Sequence, residues 1–386
     1  MKKIYLDWAA TSYPKPPEVY RALDDFARKV GVGNDRGLYR ESREVGSIIT
    51  RARAGIAGLL GAQTEEIVFT SGATAALNTF LLGHLRPGDH IITSPFEHNS
   101  VRRPLKFLQE HRGVTVTTIP GSLGSGMDPG EIAKAIRPET RACVINHVSN
   151  AFGLVAPVVE VGRMLREYPE VVFALDAAQS LGTLPFRVDE LGVDFLAFPG
   201  HKGLLGPPGT GGFYLRQDLV PDLMPLMFGG TGIRSGAGAY LEELPYKYEV
   251  GTQNSWGLAG LAAGVEYLRG KTVVAAHRHI LSLTRRAVGL LSKIPGLTLY
   301  LPGSGTPHGL VSFRVAGLKP PDAASLLDEL FSIKVREGLH CSPDAHATAG
   351  TLPEGTVRAS FGIFTTEDEV ERLGAGISEI VEGIRG

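Results

Sequence analysis

The sequence predicts an α/β protein built on a mainly parallel β-sheet with helices on both faces. Between residues 60 and 215, short apolar runs alternate with helix-like stretches, and polar side chains follow several of these runs. After residue 255 the pattern changes to long helices with a second group of strands. Buried strands separated by helices are typical of parallel sheets, which bind ligands beyond the carboxyl ends of their strands.

The strands of this sheet are predicted from short runs rich in β-branched and apolar residues. A helix rich in Ala and Leu follows the first run, and another begins near Asn99. Thr70, Asn150, Asp176 and Lys202 lie at or just past the ends of runs, so we expect them at the ligand-binding edge. The predicted strands are residues 67–69, 90–92, 114–119, 142–146, 171–175 and 193–198.

A smaller α/β domain is predicted from the C-terminal third of the chain. Its last helix is expected to follow Thr366, because Thr366 and Glu369 have the spacing of a capping box. Residues 15–255 are predicted to form the large domain, and residues 1–14 and 256–386 the small one. The expected elements are helices at 272–293 and 322–331, strands at 297–301 and 310–315, and strands near residues 335 and 357.

Composition excludes several classes of protein. The chain has 386 residues, 43% of them hydrophobic and 20% charged, and a formal net charge of -1, which gives no electrostatic basis for binding nucleic acid or an anionic membrane. Two cysteines do not make a disulfide framework. Asp7 interrupts the apolar N-terminal residues, and no run of about 18 apolar residues occurs. We therefore expect a cytoplasmic protein without a signal peptide or membrane span, and we predict no metal site.

Lys202 and Asp176 form the most informative pair of residues. Asp176 ends one apolar run, and Lys202 follows the next one in Gly200-His201-Lys202. Pyridoxal phosphate (PLP) needs such a pair, because the lysine amine forms an imine with its aldehyde and the acid pairs with its ring nitrogen. Either residue alone is typical of a solvated strand end. The pair predicts a PLP site.

Other polar residues at this edge allow both a functional and a structural interpretation. Residues 70–74 lie between a strand and a helix, where glycine and helix amides favour a phosphate, although a helix cap looks similar. His98 is suited to stack on an aromatic ring or to remain solvated. Asn150 and Gln179 are placed to reach the ring oxygen of the cofactor, and Asn150 is equally suited to stabilise a turn.

Taken together, these segments resemble a known family. The chain is similar to the class V aminotransferase group of fold-type I PLP enzymes, and within it to the cysteine desulfurase branch (NifS/SufS-like). The resemblance implies a large domain with a seven-stranded, mainly parallel sheet. It covers nearly the whole chain and is carried by residues 5–12, 69–74, 97–98, 147–150, 176–179, 200–202, 251–254, 335–341 and 357–361.

The resemblance also implies roles for individual residues. Arg358 would pair with the substrate carboxylate through its two-pronged guanidinium, with Arg336 close to the same end. Thr252 would reach the phosphate of the neighbouring subunit, which implies a homodimer with shared sites. The cofactor-binding residues would be Lys202 (imine), Asp176 (ring nitrogen), His98 (stacking), Asn150 and Gln179 (ring oxygen), and Ala73, Thr74 and His201 (phosphate).

Cys341 distinguishes desulfurases from ordinary aminotransferases in this family. It lies between Gly338-Leu339-His340 and Ser342-Pro343, a stretch that we expect to be a mobile loop. A thiolate there is able to attack the sulfur of a bound cysteine. The structural alternative is a small loop residue without chemistry.

Three positions depart from the desulfurase pattern. Pro199 replaces a serine and offers neither hydroxyl nor amide. Tyr39 follows Arg36-Gly37-Leu38 where the family often has a histidine, and Leu339 stands where the SufS-like type has another. None of these positions is Lys202, Asp176 or Cys341.

We therefore expect a PLP-dependent cysteine desulfurase that converts L-cysteine to L-alanine and passes the sulfur, as a persulfide on Cys341, to an acceptor protein. The sequence does not identify that acceptor, nor whether iron–sulfur clusters, thiolated RNA or another pathway receives the sulfur. A selenocysteine lyase, or another class V lyase or aminotransferase, is the first alternative. A scaffold of the sulfur machinery without turnover is the second.

Overall fold

The structure is a computed structural model that describes residues 3–33, 37, 39–231, 241–303 and 305–385. A π-helical segment, Phe26–Val30, and a 3-10 helix, Gln217–Leu219, supplement the regular elements. The helices are α1 (Pro17–Asp25), α2 (Arg40–Leu60), α3 (Ala73–His84), α4 (Asn99–Arg112), α5 (Pro129–Ala135), α6 (Val158–Leu165), α7 (Val188–Leu191), α8 (Ser255–Lys271), α9 (Val273–Leu291), α10 (Pro320–Phe331), α11 (Pro343–Thr348) and α12 (Glu367–Arg385). The strands are β1 (Ile4–Tyr5), β2 (Ile67–Thr70), β3 (His90–Thr93), β4 (Thr115–Thr118), β5 (Gly121–Ser122), β6 (Gly126–Met127), β7 (Thr140–Asn146), β8 (Val172–Asp176), β9 (Phe195–Pro199), β10 (Gly211–Leu215), β11 (Leu297–Tyr300), β12 (Leu310–Val315), β13 (Ile333–Lys334), β14 (Arg336–Gly338) and β15 (Thr356–Ser360).

A seven-stranded sheet forms the centre of the large domain, in the order β2-β10-β9-β8-β7-β3-β4. Neighbouring strands in this sheet run parallel, except that β10 runs antiparallel to both β2 and β9. Apolar side chains on both faces are covered by helices, as is typical of parallel sheets. The predicted α/β class and the mainly parallel sheet are confirmed.

Strand β10 was not among the predicted strands. It begins with Gly211-Gly212, and paired glycines weaken a strand signal because they carry no side chain to pack. The glycine at 211 has a steric reason, since a Cβ there would lie 2.6 Å from the Cα of Gly72. The strand therefore lies directly against the turn that leads into α3.

The C-terminal part of the chain forms a four-stranded antiparallel sheet in the order β11-β12-β15-β14. Its core contains apolar residues of helices α9, α10 and α12, among them Leu283, Leu327 and Leu373. Helix α12 begins with the predicted capping box. The Thr366 Oγ1 accepts from the Glu369 amide at 3.3 Å, and Glu369 Oε2 accepts from the Thr366 amide at 3.0 Å.

The predicted division into two domains needs one adjustment at helix α8. Leu258, Leu261 and Val265 on this helix belong to the same core as Ile56 of α2, so the helix packs with the large domain. We propose that the boundary lies near Thr272 rather than at residue 255. At the other end of the chain, β1 pairs with β13, which supports the grouping of the N-terminal residues with the small domain.

None of the helices within the described ranges has the length and apolar character that a membrane span requires.

Candidate active site

A cavity of about 350 Å³ lies at the carboxyl ends of the parallel strands, where the sequence predicts the ligand site. It is bounded by the N-terminus of α3, the turns after β8 and β9, and the paired strands β14 and β15 of the small domain. The predicted site residues that line it are Ala73, Thr74, His98, Asn150, Asp176, Gln179, His201, Lys202, Arg336 and Arg358.

Lys202 enters the cavity from the turn after β9. Burial lowers the pKa of its amine to about 8, an effect that Asp176 opposes and that Arg358 reinforces. A depressed pKa makes a lysine amine a better nucleophile and base at neutral pH. Lys202 is therefore chemically suited to bond covalently to an aldehyde.

Asp176 is the last residue of the central strand β8 and is 1% exposed. Its Oδ1 accepts a hydrogen bond of 2.9 Å from the amide of Ala178. Burial raises the pKa of this carboxyl group, while the amide of Ala178 and the charge of Lys202 oppose the rise. The ionised form of a buried acid is stabilised by a nearby cation, which a protonated pyridine nitrogen would supply.

The N-terminus of helix α3 opens onto the same cavity. Its N-cap residue, Gly72, has a φ of 154° and carries no side-chain cap, so the first amides of the helix are not covered by a side chain. Ser71, Ala73 and Thr74 line the cavity beside them. Exposed helix amides and the helix dipole favour an anion such as a phosphate.

Two histidines flank this anion-binding corner. His98 caps helix α4, because its Nδ1 accepts from the Ser100 amide at 3.0 Å, which leaves the proton of the neutral ring on Nε2. The Nδ1 of His201 lies 3.0 Å from the hydroxyl of Thr11. Burial lowers the pKa of both rings to about 4, and the charge of Lys202 adds to the effect. Both rings are therefore neutral near pH 7.

Asn150 and Gln179 both line the cavity but are already engaged within the protein. The side-chain amide of Gln179 donates to the carbonyl of Ala9 at 2.9 Å. Asn150 donates from Nδ2 to the carbonyl of His340 at 2.5 Å and accepts at Oδ1 from the Ser342 hydroxyl at 2.7 Å. The side chain of Asn150 thus joins the cavity to the segment that carries Cys341.

Arg336 and Arg358 provide the positive end of the cavity. Arg358 is 1% exposed and donates to Asp7 Oδ1 at 2.7 Å and to the carbonyl of Asn150 at 2.8 Å. Its Nε has no hydrogen-bond partner among the described residues. A buried, unpaired guanidinium donor is costly, and a ligand carboxylate would satisfy it.

Cys341 lies in a second hollow that adjoins the cavity, and the two share Thr74, His98 and Ser100. Its Sγ is 3.9 Å from Nη2 of Arg336. The expected mobile loop is instead tied at several points. The Cys341 carbonyl accepts from the Asn99 amide at 2.8 Å, and Asn150 bonds to the residues on either side.

Thr252 lies outside this cavity. It is exposed and lines a different hollow, together with Arg53 and Glu249. A threonine in that position does not serve the cavity of its own chain.

The donor set of the cavity fits PLP. Lys202, the buried Asp176 and the uncovered amides of α3 meet the needs of its aldehyde, its ring nitrogen and its phosphate.

Comparison with known proteins agrees with this geometry. Residues 4–373 match the family model described as aminotransferase class-V. The chain belongs to the class V aminotransferase family.

Relatives within this family carry a consistent name. A probable cysteine desulfurase from Methanothermobacter thermautotrophicus is 36% identical over 384 residues, which cover 98% of this chain and 94% of the relative. The solved apo structure of a cysteine desulfurase from Thermococcus onnurineus is similar, with a TM-score of 0.92 and 35% identity over 99% of this chain and 95% of that one. The structure of the cysteine desulfurase CsdA from Escherichia coli has a TM-score of 0.88 and 29% identity, over 98% and 95% of the two chains. The predicted resemblance to the cysteine desulfurase branch of the class V family is confirmed.

The departures from the family pattern lie in different surroundings. Pro199 lines the cavity at the end of β9, whereas Tyr39 is 50% exposed at the start of α2. Leu339 precedes His340 in the turn that leads to Cys341. Arg36 and Leu38, which belong to the same pattern as Tyr39, lie outside the described residues.

Several residues of this class V site were not predicted individually. Asp7 pairs with Arg358 across 351 positions of sequence, and Ser342 bonds to Asn150 across 192. Glu97 is buried, and its Oε1 accepts at 2.9 Å from the amide of Asn146, which lines the cavity. The segment Glu97-His98 gave a sequence signal for Glu97. The contacts of Asp7 with Arg358 and of Ser342 with Asn150 have no local signal, because the partners lie far apart in the sequence.

Proposed function

We propose that this protein is a PLP-dependent cysteine desulfurase, which converts L-cysteine to L-alanine and carries the removed sulfur as a persulfide on Cys341. One observation carries the proposal. The Cys341 thiol lies 3.9 Å from the guanidinium of Arg336, and Arg336 lines the same cavity as Lys202 and Asp176. A nucleophilic sulfur is therefore held at the rim of a site that is equipped for amino-acid chemistry.

The residues of the cavity divide the work of holding cofactor and substrate. We assign Asp176 to the ring nitrogen, His98 to the ring face, and Arg358 with Arg336 to the carboxylate of the substrate. PLP bound there supplies an electron sink that stabilises negative charge at the substrate Cα. We assign the phosphate to Ala73, Thr74 and His201, and the ring oxygen to Gln179 and Asn150.

Lys202 moves the proton in this scheme. Because burial lowers the pKa of its amine to about 8, far more free amine exists near neutral pH than for an ordinary lysine, and the free amine is able to take the proton from the substrate Cα. The charge of Asp176 opposes this fall in the pKa of Lys202. A lysine with an ordinary pKa would be almost fully protonated and a poorer base.

Sulfur transfer then takes place at Cys341. Its thiolate attacks the substrate sulfur, so that an S–S bond forms while the Cβ–S bond of the substrate breaks. The electron pair of the broken bond remains with the carbon skeleton, which takes up a proton and leaves as alanine. The products are alanine and a persulfide on Cys341, from which an acceptor protein removes the outer sulfur.

The test measures alanine and persulfide in purified protein supplied with PLP and L-cysteine. We expect Cys341→Ser to retain the visible absorption of the bound cofactor but to lose persulfide formation. Cys143→Ser is the matched control, because Cys143 is fully buried in β7 and away from the rim. Sulfur transfer by Cys341→Ser at the wild-type rate would overturn the proposal.

Turnover of selenocysteine but not of cysteine would favour the selenocysteine lyase alternative.

Lys202→Ala tests the cofactor assignment separately. We expect this variant to lose the visible absorption band of the bound cofactor and to form no alanine. A variant that retained the band would contradict the assignment of Lys202.

The proposal includes a homodimer in which Thr252 of each subunit serves the other site. Thr252 is exposed and lies outside the cavity of its own chain, which supports this role. Hybrid dimers of Lys202→Ala and Thr252→Val subunits would contain one defective and one complete site. We expect mixing these two weak variants to restore activity, and no gain on mixing would contradict a shared site. A location in the cytoplasm stays a prediction.

A further inference from the structure

The turn that carries Cys341 has an unfavourable backbone. His340 has a φ of 49° and Cys341 a φ of 59°, and neither is a glycine or an asparagine. Consecutive side-chain-bearing residues in the left-handed region persist only where their surroundings determine them. The question is which contacts hold this turn.

A buried chain of side chains spans the turn. The Nε2 of His340 lies 3.2 Å from the carbonyl of Arg336, which precedes the turn, and its Nδ1 lies 3.2 Å from Nε2 of His346, which follows it. The Nδ1 of His346 in turn lies 2.7 Å from the hydroxyl of Thr351. His340 is 3% exposed, and His346 and Thr351 are fully buried. The ring of His340 thus bridges the two ends of the turn.

One arrangement of protons satisfies this chain when both rings are neutral. The Arg336 carbonyl only accepts, so Nε2 of His340 must carry its proton and Nδ1 must accept from His346. Nδ1 of His346 is then an acceptor as well. The Thr351 hydroxyl lies 2.7 Å from this nitrogen and 3.1 Å from the His346 carbonyl, and the shorter contact is the one to which it donates in this arrangement. Burial lowers the pKa of His346 to about 4 and that of His340 well below its usual value, so both rings are neutral near pH 7. The Arg336 carbonyl therefore fixes the direction of the chain, and Thr351 supplies the donor at its other end.

Asn150 and Asn99 also hold the turn. Asn150 bonds to the His340 carbonyl and to the Ser342 hydroxyl, and the Asn99 amide donates to the Cys341 carbonyl. With both sides held, the thiol at the tip faces Arg336. Loss of either set of contacts would let the left-handed residues relax.

We propose that His340, His346 and Thr351 form a positioning relay that keeps the Cys341 thiol beside Arg336 and the substrate. His346 and Thr351 do not line the cavity, so they act through His340, which does. The inference rests on the proposed function, in which Cys341 receives the sulfur. It adds that the thiol is preorganised by a buried hydrogen-bond chain.

The test compares Thr351→Val with Thr351→Ser in the full-length protein. Valine has the shape of threonine but cannot donate to His346, whereas serine keeps the hydroxyl. The first measurement is the rate of Cys341 alkylation by iodoacetamide, with and without cofactor. Cys143 is fully buried, so this rate reports on Cys341, and Cys341→Ser supplies the blank. We expect faster alkylation in Thr351→Val and the wild-type rate in Thr351→Ser.

The second measurement separates positioning from general damage. Exchange of the Cα proton of L-alanine with deuterated water depends on Lys202 and not on the thiol. We expect Thr351→Val to keep the wild-type exchange rate and KM for cysteine, while persulfide formation falls roughly 10- to 100-fold. Serine should restore it.

Two results would overturn the relay. One is a Thr351→Val protein with wild-type alkylation and sulfur transfer. The other is a parallel loss of proton exchange and sulfur transfer, which indicates general damage. Failure of the proposed function is distinguishable from failure of the relay. The first would appear as sulfur transfer by Cys341→Ser, and the alkylation rates would still show whether Thr351 holds the turn.

Discussion

Arg336 and Arg358 occupy directly opposed positions on the antiparallel strands β14 and β15, and both side chains line the cavity. Like charges in opposed positions repel each other. Burial also lowers the pKa of Arg358, so its cation is poorly solvated, although Asp7 offsets part of this effect. A carboxylate bound between the two guanidinium groups relieves both penalties. The pair of arginines is thus suited to bind an amino-acid carboxylate.

The first prediction concerns Arg336→Lys. Lysine keeps the charge but loses the planar fork, so we expect the loss of about 1.5–3 kcal/mol of charge-assisted hydrogen bonding and a roughly 10- to 100-fold rise in KM for cysteine. Arg286→Lys, in an exposed ion pair on α9, is the control. Steady-state alanine release measures both variants. An unchanged KM in Arg336→Lys would remove this residue from substrate binding.

The second prediction is that Asp176→Asn has opposite effects on stability and on cofactor binding. The apo protein should become more stable to heat at neutral pH, because burial raises the pKa of the Asp176 carboxyl group and the neutral amide avoids its desolvation. PLP affinity should fall by about 2–5 kcal/mol, because a buried charge partner is lost. Thermal unfolding without cofactor and titration with PLP measure the two effects, with the exposed Asp189→Asn as control. Equal PLP affinity in Asp176→Asn and wild type would contradict the ring-nitrogen assignment.

The third prediction is a pH dependence of stability that arises from Glu97. Burial raises the pKa of its carboxyl group from 4.5 to about 8, and among the described residues its Oε2 has no hydrogen-bond partner. Between these two pH values the folded protein holds a proton that the unfolded chain has lost, so this group lowers stability as pH rises from 4.5 to 8.

Glu97→Gln removes that titration. We therefore expect its unfolding midpoint to rise relative to wild type as pH increases through this window, and to level off above pH 8. The control is Glu110→Gln, an exposed residue of α4 that pairs with Lys106. Parallel pH profiles for Glu97→Gln and wild type would show that Glu97 is ionised in the folded protein.

The parts of the fold that the sequence predicts are those with local signals. The apolar runs that end at Asn146 and Asp176 are strands of the expected sheet, and the Thr366–Glu369 capping box forms at the start of α12. Strand β10 lacks such a signal because it opens with two glycines. Helix α8 has few polar residues on any face, so its packing partner was not evident from its periodicity.

In the candidate site, too, the sequence predicts the residues that have local signals but not their long-range contacts. Asp176 ends a recognisable run and Lys202 follows the next one, and their pairing follows from the order of parallel strands. The orientation of Asn150 toward the Cys341 turn depends on how the small domain lies against the large one. The contact between Arg358 and Asp7 joins the first residues of the chain to a strand near its end. No spacing in the sequence encodes contacts over 190 and 351 positions.

The fourth prediction concerns the buried ion pair that anchors the segment carrying Thr252. Arg53 on α2 forms two contacts of 2.7 Å with Glu249, and Glu249 Oε1 also accepts from the Phe69 amide at 2.6 Å. The side chains of Arg53 and Glu249 are 9% and 4% exposed. Removal of one charge leaves the other buried and unpaired, which typically costs about 3–5 kcal/mol.

Glu249→Gln should therefore destabilise the protein by about that amount and should also weaken PLP binding, because Thr252 loses its support. Asp24→Asn, in an exposed pair with Arg28, is the control and should change the free energy of unfolding by less than about 1 kcal/mol. Denaturant unfolding and PLP titration measure the two effects.

The sharpest contrast is with Thr252→Val, which should weaken PLP binding and leave unfolding unchanged, since the threonine is exposed. If Glu249→Gln were as destabilised as expected but bound PLP normally, the ion pair would stabilise the fold without positioning Thr252.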